Sequence, residues 1–306
     1  MRSMVEGADR HWPLRRAPRA TSPAFLRVRS VISGESLMTV MEAEAQAPAS
    51  ATHGDLVVSD GVRIHWMEAG EGTPVVLLHG YTSCCDACWF VDGVAKELAR
   101  DHRVIGIDAR GHGRSEKPHD PAKYDGDRMP ADVVEVLDHL GVAKAHFHGY
   151  SMGGGIVAHL LARHPDRFIT ASFGGSGVRE DDEALAQQAA ALDPKGHDPE
   201  QAAGQQALRE RADRDDAALQ AVQAGRTAKP STAPPLDVAS LDMPIQAING
   251  EFDAPVSKTQ RLAREAKDFT NVILPGRSHN TVTTWPFTPR LYVDAIAGFV
   301  RAHDPR

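Results

Sequence analysis

Residues 145–153, Ala145-His146-Phe147-His148-Gly149-Tyr150-Ser151-Met152-Gly153, decide how the rest of the chain is read. Ala145 to His148 has the length and aromatic content of a buried strand. Ile156-Val157-Ala158-His159-Leu160-Leu161-Ala162 follows with helical spacing, so Ser151 lies at a strand-to-helix junction. There the pattern G-x-S-x-G has a mechanical meaning. Small residues two before and two after the serine allow a sharp turn that holds its Oγ out, while the opening helix directs free N–H groups at whatever the serine attacks. Taken alone, the same pentapeptide is also compatible with a glycine-rich turn that happens to hold a serine.

Outward from this turn, strands and helices alternate. Val75 to Leu78 is a continuous apolar run suited to a central strand, ending at His79-Gly80. Upstream, Leu56-Val57-Val58 and Val62 to Glu68 flank Ser59-Asp60-Gly61 as a β-hairpin. Helical spacing is expected over Trp89 to Arg100, then a strand at Val104 to Ile107, which runs into the loop Asp108 to Ser115. Val133, Val134, Leu137 and Leu140 mark a helix with Gly141 at its end. Beyond the serine come a strand at Phe168 to Phe173, a strand at Ile245 to Ile248, a helix over Ser257 to Lys267, a strand at Asn271 to Leu274 and a final helix from Pro289 to Arg301. The fold class predicted is α/β: a mostly parallel central sheet with helices on both faces.

Two segments depart from this rhythm. Residues 1–51 carry seven arginines among few acids, without the apolar core of a secretory signal, and read as a disordered or non-native N-terminal extension; Met38 and Met41 offer later starts. Residues 176–240 are rich in Ala, Gln, Asp and Glu, lack aromatic residues, and suggest two or three short helices, such as Glu183 to Leu192 and Gln201 to Ala212. They read as a helical lid or cap, or as a surface appendage, between core segments 52–175 and 241–306.

At 306 residues the chain can bury a sizeable core, and its net charge of -7 with no long basic run in the body argues against nucleic acid as a partner. No apolar stretch reaches the ~18 to 20 residues that span a bilayer, so no integral membrane association is expected. The cysteines are three, Cys84, Cys85 and Cys88, an odd and clustered set that favours a reducing, cytoplasmic setting over a disulfide framework. A zinc reading with His79 lacks a second spaced pair, so no metal is expected. The expected description is loop thiols, reactive where exposed.

A serine hydroxyl needs a positioned base, and the base an orienting carboxylate. Ser151, Asp253 and His279 each follow a predicted strand, in loops that a parallel sheet collects at one edge. With His79-Gly80, Asp108 to Ser115, Gly-Tyr-Ser-Met-Gly, Asn249-Gly-Glu-Phe-Asp253 and Ser278-His279 in this order, residues 55–302 resemble the α/β-hydrolase family. The resemblance implies Ser151 as nucleophile, His279 as general base and Asp253 as its orienting acid, with an oxyanion hole from the backbone N–H groups of Tyr81 and Met152. Glu251 is the rival acid, His148 and His112 are rival histidines, and Asp108 reads as structural. Gly80, Trp89, Tyr150 and Trp285 are expected around the substrate. Arg277, just before Ser278-His279, faces either solvent or an anionic substrate.

The serine excludes the aspartate-nucleophile branches, and the single glycine at the oxyanion loop differs from the triple-glycine loop of some lipases. The implied activity is cofactor-independent hydrolysis of a small or medium ester, lactone or thioester through an acyl-enzyme, by a monomer or homodimer. Carbon–carbon bond hydrolysis of a diketone-like substrate, a haloperoxidase-like side activity and a receptor-like binding role stay open.

Overall fold

In the computed structural model, residues 51–284 and 286–305 are described. The expected N-terminal extension, apart from Ala51, and Trp285 lie outside them. Eight strands form one sheet: β1 (Thr52–Val57), β2 (Arg63–Ala69), β3 (Thr73–Leu78), β4 (His102–Ile107), β5 (Ala145–Tyr150), β6 (Phe168–Gly174), β7 (Ile245–Gly250) and β8 (Phe269–Leu274). Their spatial order is β1-β2-β4-β3-β5-β6-β7-β8. The hairpin β1–β2 and the pair β2–β4 are antiparallel, and every later pair is parallel. The strand that ends at the serine thus sits inside the sheet, paired on both sides.

Alternation along the strands divides the core in two. Val76, Leu78, Ile105, Ile107 and Phe147 point to one face, where they meet Val133, Val136 and Leu137 of α2 (Arg128–His139) and Ile156, Val157 and Leu160 of α3 (Met152–Arg163). Val75, Leu77 and Val104 point to the other, packing with Val94 and Leu98 of α1 (Val94–Leu98) and Tyr292, Val293 and Ile296 of the C-terminal helix Arg290–Ala302. Burial on both faces explains the uninterrupted apolar run at Val75 to Leu78.

The helix expected over Trp89 to Arg100 is two pieces. A π-helical turn at Asp86–Phe90 precedes α1, and Gly93 between them adopts φ +92°, which ends one helical run and starts the next. Phe90, Val94 and Leu98 all still reach the core, so the apolar spacing was read correctly while the break was not. Between β6 and β7 lie three helices, α4 (Glu183–Leu192), α5 (Gln201–Arg209, shorter than expected) and α6 (Asp216–Ala228). Asp182 and Asp215 cap α4 and α6 by accepting from the N–H groups of Leu185 and Ala218. After β7 comes α7 (Pro255–Glu265), and after β8 the last helix, α8 (Arg290–Ala302). Among the described residues no helix is long and apolar enough to cross a membrane.

Candidate active site

β5 delivers Ser151 at φ +53°, a left-handed conformation costly for a non-glycine residue. Both flanking glycines are required by contact. A Cβ on Gly149 would lie 2.3 Å from the carbonyl oxygen of Gly153, and one on Gly153 would lie 2.1 Å from that of Leu78. The turn is held to the neighbouring strand by a bond from Ser151 N–H to the Gly174 carbonyl, 2.8 Å.

The loops after β7 and β8 are joined to each other before they reach the serine. Phe252 N–H donates to the Arg277 carbonyl at 2.9 Å, and Gly250 lies so close beneath that a Cβ there would sit 2.4 Å from the same oxygen. From these loops His279 places Nε2 2.8 Å from Ser151 Oγ and Nδ1 2.8 Å from Asp253 Oδ2. The three residues singled out by their positions after strands therefore form one hydrogen-bonded chain. The other carboxylate oxygen of Asp253 pairs with the ammonium of Lys258, one turn into α7 and nearly buried. Nothing in the sequence pattern flagged Lys258, which is one of several charged residues on that helix.

Tyr150 packs its ring against His279 and donates its hydroxyl to the His279 carbonyl at 2.5 Å. Burial pushes this phenol well up, so it remains a neutral donor. Asp198, from the connection between α4 and α5, is buried over the same loop. It accepts from Ser278 N–H and Ser278 Oγ, each at 3.0 Å, and from the Thr281 hydroxyl, gripping the histidine loop on both sides. Arg277 pairs with Glu200 of the same connection in a solvent-exposed ion pair.

Gly80 passes over the serine, where a Cβ would stand 3.3 Å from the Tyr150 ring and 3.5 Å from Ser151 Cβ. His79 anchors this loop. It is fully buried, and burial lowers its basicity, so the neutral ring donates from Nδ1 to the Gly80 carbonyl at 2.8 Å and accepts Ala109 N–H at Nε2, 3.0 Å. Among the described residues neither the Tyr81 nor the Met152 N–H has a hydrogen-bond acceptor. The Tyr81 hydroxyl reaches away, donating to the Leu219 carbonyl in α6 at 2.8 Å.

A cavity of about 30 Å³ opens beside Ser151 and His279. Gly80, Tyr81 and Tyr150 line it, joined by Ser83, Cys88, Leu208, Asn280, Thr283 and Thr284. Trp89 does not line it. Its ring is fully buried against His148 at 5.4 Å between centroids, because the π-helical turn points it into the core. The polar wall residues fall in loops without regular spacing, which left no sequence signal. Leu208 on α5 was equally silent.

The rivals have other partners. Glu251 accepts Gly276 N–H in a turn, 2.8 Å. Asp108 takes bonds from His65 Nδ1 and from the N–H groups of Cys85 and Arg114; burial alone would raise its carboxyl, but these donors hold it well below the usual range. His148 is buried between Ser172 Oγ at 2.8 Å and Tyr292 Oη at 2.7 Å. The thiols, expected to be reactive only where exposed, are not exposed: all three cysteines are buried around the π-helical turn, and burial pushes Cys84 up to about 12 and Cys88 up to about 11. Such thiols stay protonated.

Residues 73–188 match a family model described as the alpha/beta hydrolase fold. A protein of Mycobacterium phage D29 described as a non-heme haloperoxidase is 35% identical over 119 residues, covering 39% of this chain and 41% of the relative. A 2-hydroxymuconate semialdehyde hydrolase of Pseudomonas sp. (strain CF600) is 38% identical over 111 residues, covering 36% and 39%. The chain thus spans about two fifths of the length of these relatives. Among solved structures, a thermophilic esterase from Thermogutta terrifontis superposes with TM-score 0.64 at 20% identity, over 83% of this chain and all of that one (100%), a likeness of fold. With the matched stretch running from β3 through the serine turn into α4, and the sheet continuing in parallel to β8, the chain has the α/β-hydrolase fold.

Proposed function

We propose that the protein is a serine hydrolase cleaving esters of short carboxylic acids through an acyl-enzyme. The observation that carries this reading is the continuous chain Ser151–His279–Asp253, with Ser151 raised on a left-handed turn beneath Gly80. His279 Nε2 takes the proton as Ser151 Oγ attacks the carbonyl carbon, and Asp253 stabilises the imidazolium that results. The developing oxyanion draws on the Tyr81 and Met152 amides. His279 then returns the proton to the leaving alcohol, and a water, deprotonated by the same ring, releases the acid.

On this reading the narrow cavity beside Ser151 favours a short acyl group. In this reading residues 176–240 act as a lid, contributing Leu208 to the cavity and Asp198 to the histidine loop. Purified protein is expected to hydrolyse p-nitrophenyl acetate and butyrate, with kcat/KM falling about tenfold or more by the octanoate. Ser151→Ala should lose at least ~10³-fold and should no longer be labelled by a fluorophosphonate. Undiminished turnover by that variant would overturn the assignment.

A second reading is hydrolysis of a carbon–carbon bond in a diketone-like substrate. It is favoured by the similarity to the muconate semialdehyde hydrolase and by a wall of Asn280, Thr283 and Thr284, which offers hydrogen bonds to a second substrate oxygen. A vinylogous 1,5-diketone turned over faster than any p-nitrophenyl ester would select it.

A further inference from the structure

At the end of the sheet opposite Ser151, His102 opens β4, His146 lies at the start of β5, and Asp304 follows α8. One nitrogen from each ring and one carboxylate oxygen lie within 4.8 Å of one another. His102 Nε2 is 3.1 Å from Asp304 Oδ2, and His146 Nε2 is 3.2 Å from Asp304 Oδ1. Both imidazoles are fully buried. Their outer nitrogens are held from behind, His102 Nδ1 by Asp101 Oδ1 at 2.8 Å and His146 Nδ1 by Thr170 Oγ1 at 2.9 Å. These partners fix both rings with Nε2 aimed inward, as the outer partners of metal-ligating histidines do.

The inward nitrogens are not equally satisfied. His146 Nε2 makes a hydrogen bond to Asp304, whereas His102 Nε2, though close to the carboxylate, meets it outside hydrogen-bonding geometry and has no partner among the described residues. With Nδ1 held by Asp101, the buried Nε2 of His102 is aimed at the carboxylate without a hydrogen bond of its own. A cation held between the rings and the carboxylate would satisfy all three groups.

We propose that His102, His146 and Asp304 bind a divalent first-row transition metal of the zinc, nickel or cobalt class. Around a tetrahedral ion with bonds of about 2.0–2.1 Å, ligand atoms stand roughly 3.3 Å apart; the nitrogen–oxygen separations, each to a different oxygen of Asp304, are close to this, and the three ligand atoms lie within 4.8 Å of one another. Two imidazoles and one carboxylate suit these ions rather than magnesium or calcium. Asp304 is partly exposed, which gives the ion a path in and leaves a position for water. The surrounding charges are Arg301, which occupies the other side of Asp101, and His303, beside Asp304 and nearest to Asp268. The site ties the segment after α8 to the first residues of two central strands. Its role is structural, since the serine edge lies at the other end of the same strands.

Untagged full-length protein, stripped with chelator and dialysed, is titrated with zinc, nickel or cobalt chloride, and with magnesium chloride for comparison. Calorimetry and thermal unfolding are the readouts. One equivalent of zinc or cobalt should raise Tm by several degrees and magnesium should not, with cobalt giving visible absorption of a low-symmetry site. Asp304→Asn should weaken this binding at least ~10-fold while leaving p-nitrophenyl acetate hydrolysis unchanged. Because His102→Gln could impair folding, the partly exposed Asp304 provides the decisive variant. No saturable binding, equal binding by Asp304→Asn, or an equal response to magnesium would each overturn the proposal.

Discussion

Asp253 divides its two oxygens between a histidine and a lysine, and that division sets how strongly the carboxylate can favour a positive charge on His279. The Lys258 ammonium offsets part of the negative field that His279 would otherwise meet, with Arg179 and Asp193 the next charges around the lysine. Removing the lysine leaves the Asp253 carboxylate with the histidine as its one charged partner and free to turn away from it. Lys258→Met is therefore expected to lower kcat for p-nitrophenyl acetate about tenfold with little change in KM, as when a catalytic group is misplaced. Unchanged kcat in a folded variant would mean that the pair is only structural. Gly153→Ala is expected to be far more damaging, since the new methyl meets the Leu78 carbonyl rather than a side chain able to turn aside. Its soluble yield and circular dichroism would check this. Ser151, Asp253 and His279 were legible because each follows a strand; Lys258 was not, because it is one of several charged residues on its helix and its pairing with Asp253 is set by the turn between β7 and α7.

The connection between α4 and α5 does more than cover the sheet. Asp198 holds both Ser278 and Thr281 on either side of His279, so the position of the general base depends on a segment inserted far from it in sequence. Asp198→Ala should lower kcat by about 10- to 100-fold with a smaller change in KM, as expected when a catalytic group is misplaced by about an ångström. Asp198→Asn, which keeps one acceptor, should fall between. Steady-state kinetics on p-nitrophenyl acetate would decide, and equal kcat in all three proteins would separate this connection from the chemistry. The two flanking helices were readable from their composition. Their docking was not, because Asp198, Glu200 and Leu208 follow no apolar period and act through loop partners.

Across the whole molecule, acid sensitivity follows from histidines buried as neutral rings. Burial pushes His148 down to about 3 and does the same for His112. Both folded values lie below the ~6.5 of an unfolded histidine. The stability they allow is fully present above pH 6.5 and is lost as pH falls from there toward about 3. Each site removes up to about 1.4 kcal/mol per pH unit in that window. Urea midpoints at pH 7.5, 6 and 5 should fall progressively, and His148→Gln should flatten the slope. The parallel sheet itself was legible from Val75 to Leu78 and from the alternation of strands and helices, since strands buried on both faces need continuous apolar runs. The histidines of β5 hid their role, because a polar residue in a central strand is explained only by the neighbours across the sheet, here Thr170, Ser172 and Tyr292. The cavity beside Ser151 bears on time as well as size. Its wall joins α5 to the histidine loop, where a Cβ on Gly204 would stand 2.6 Å from the Asn280 carbonyl. If residues 176–240 act as the proposed lid, bulky esters react only as this wall parts, and their kcat/KM should fall as sucrose thickens the solvent while that of acetate barely changes.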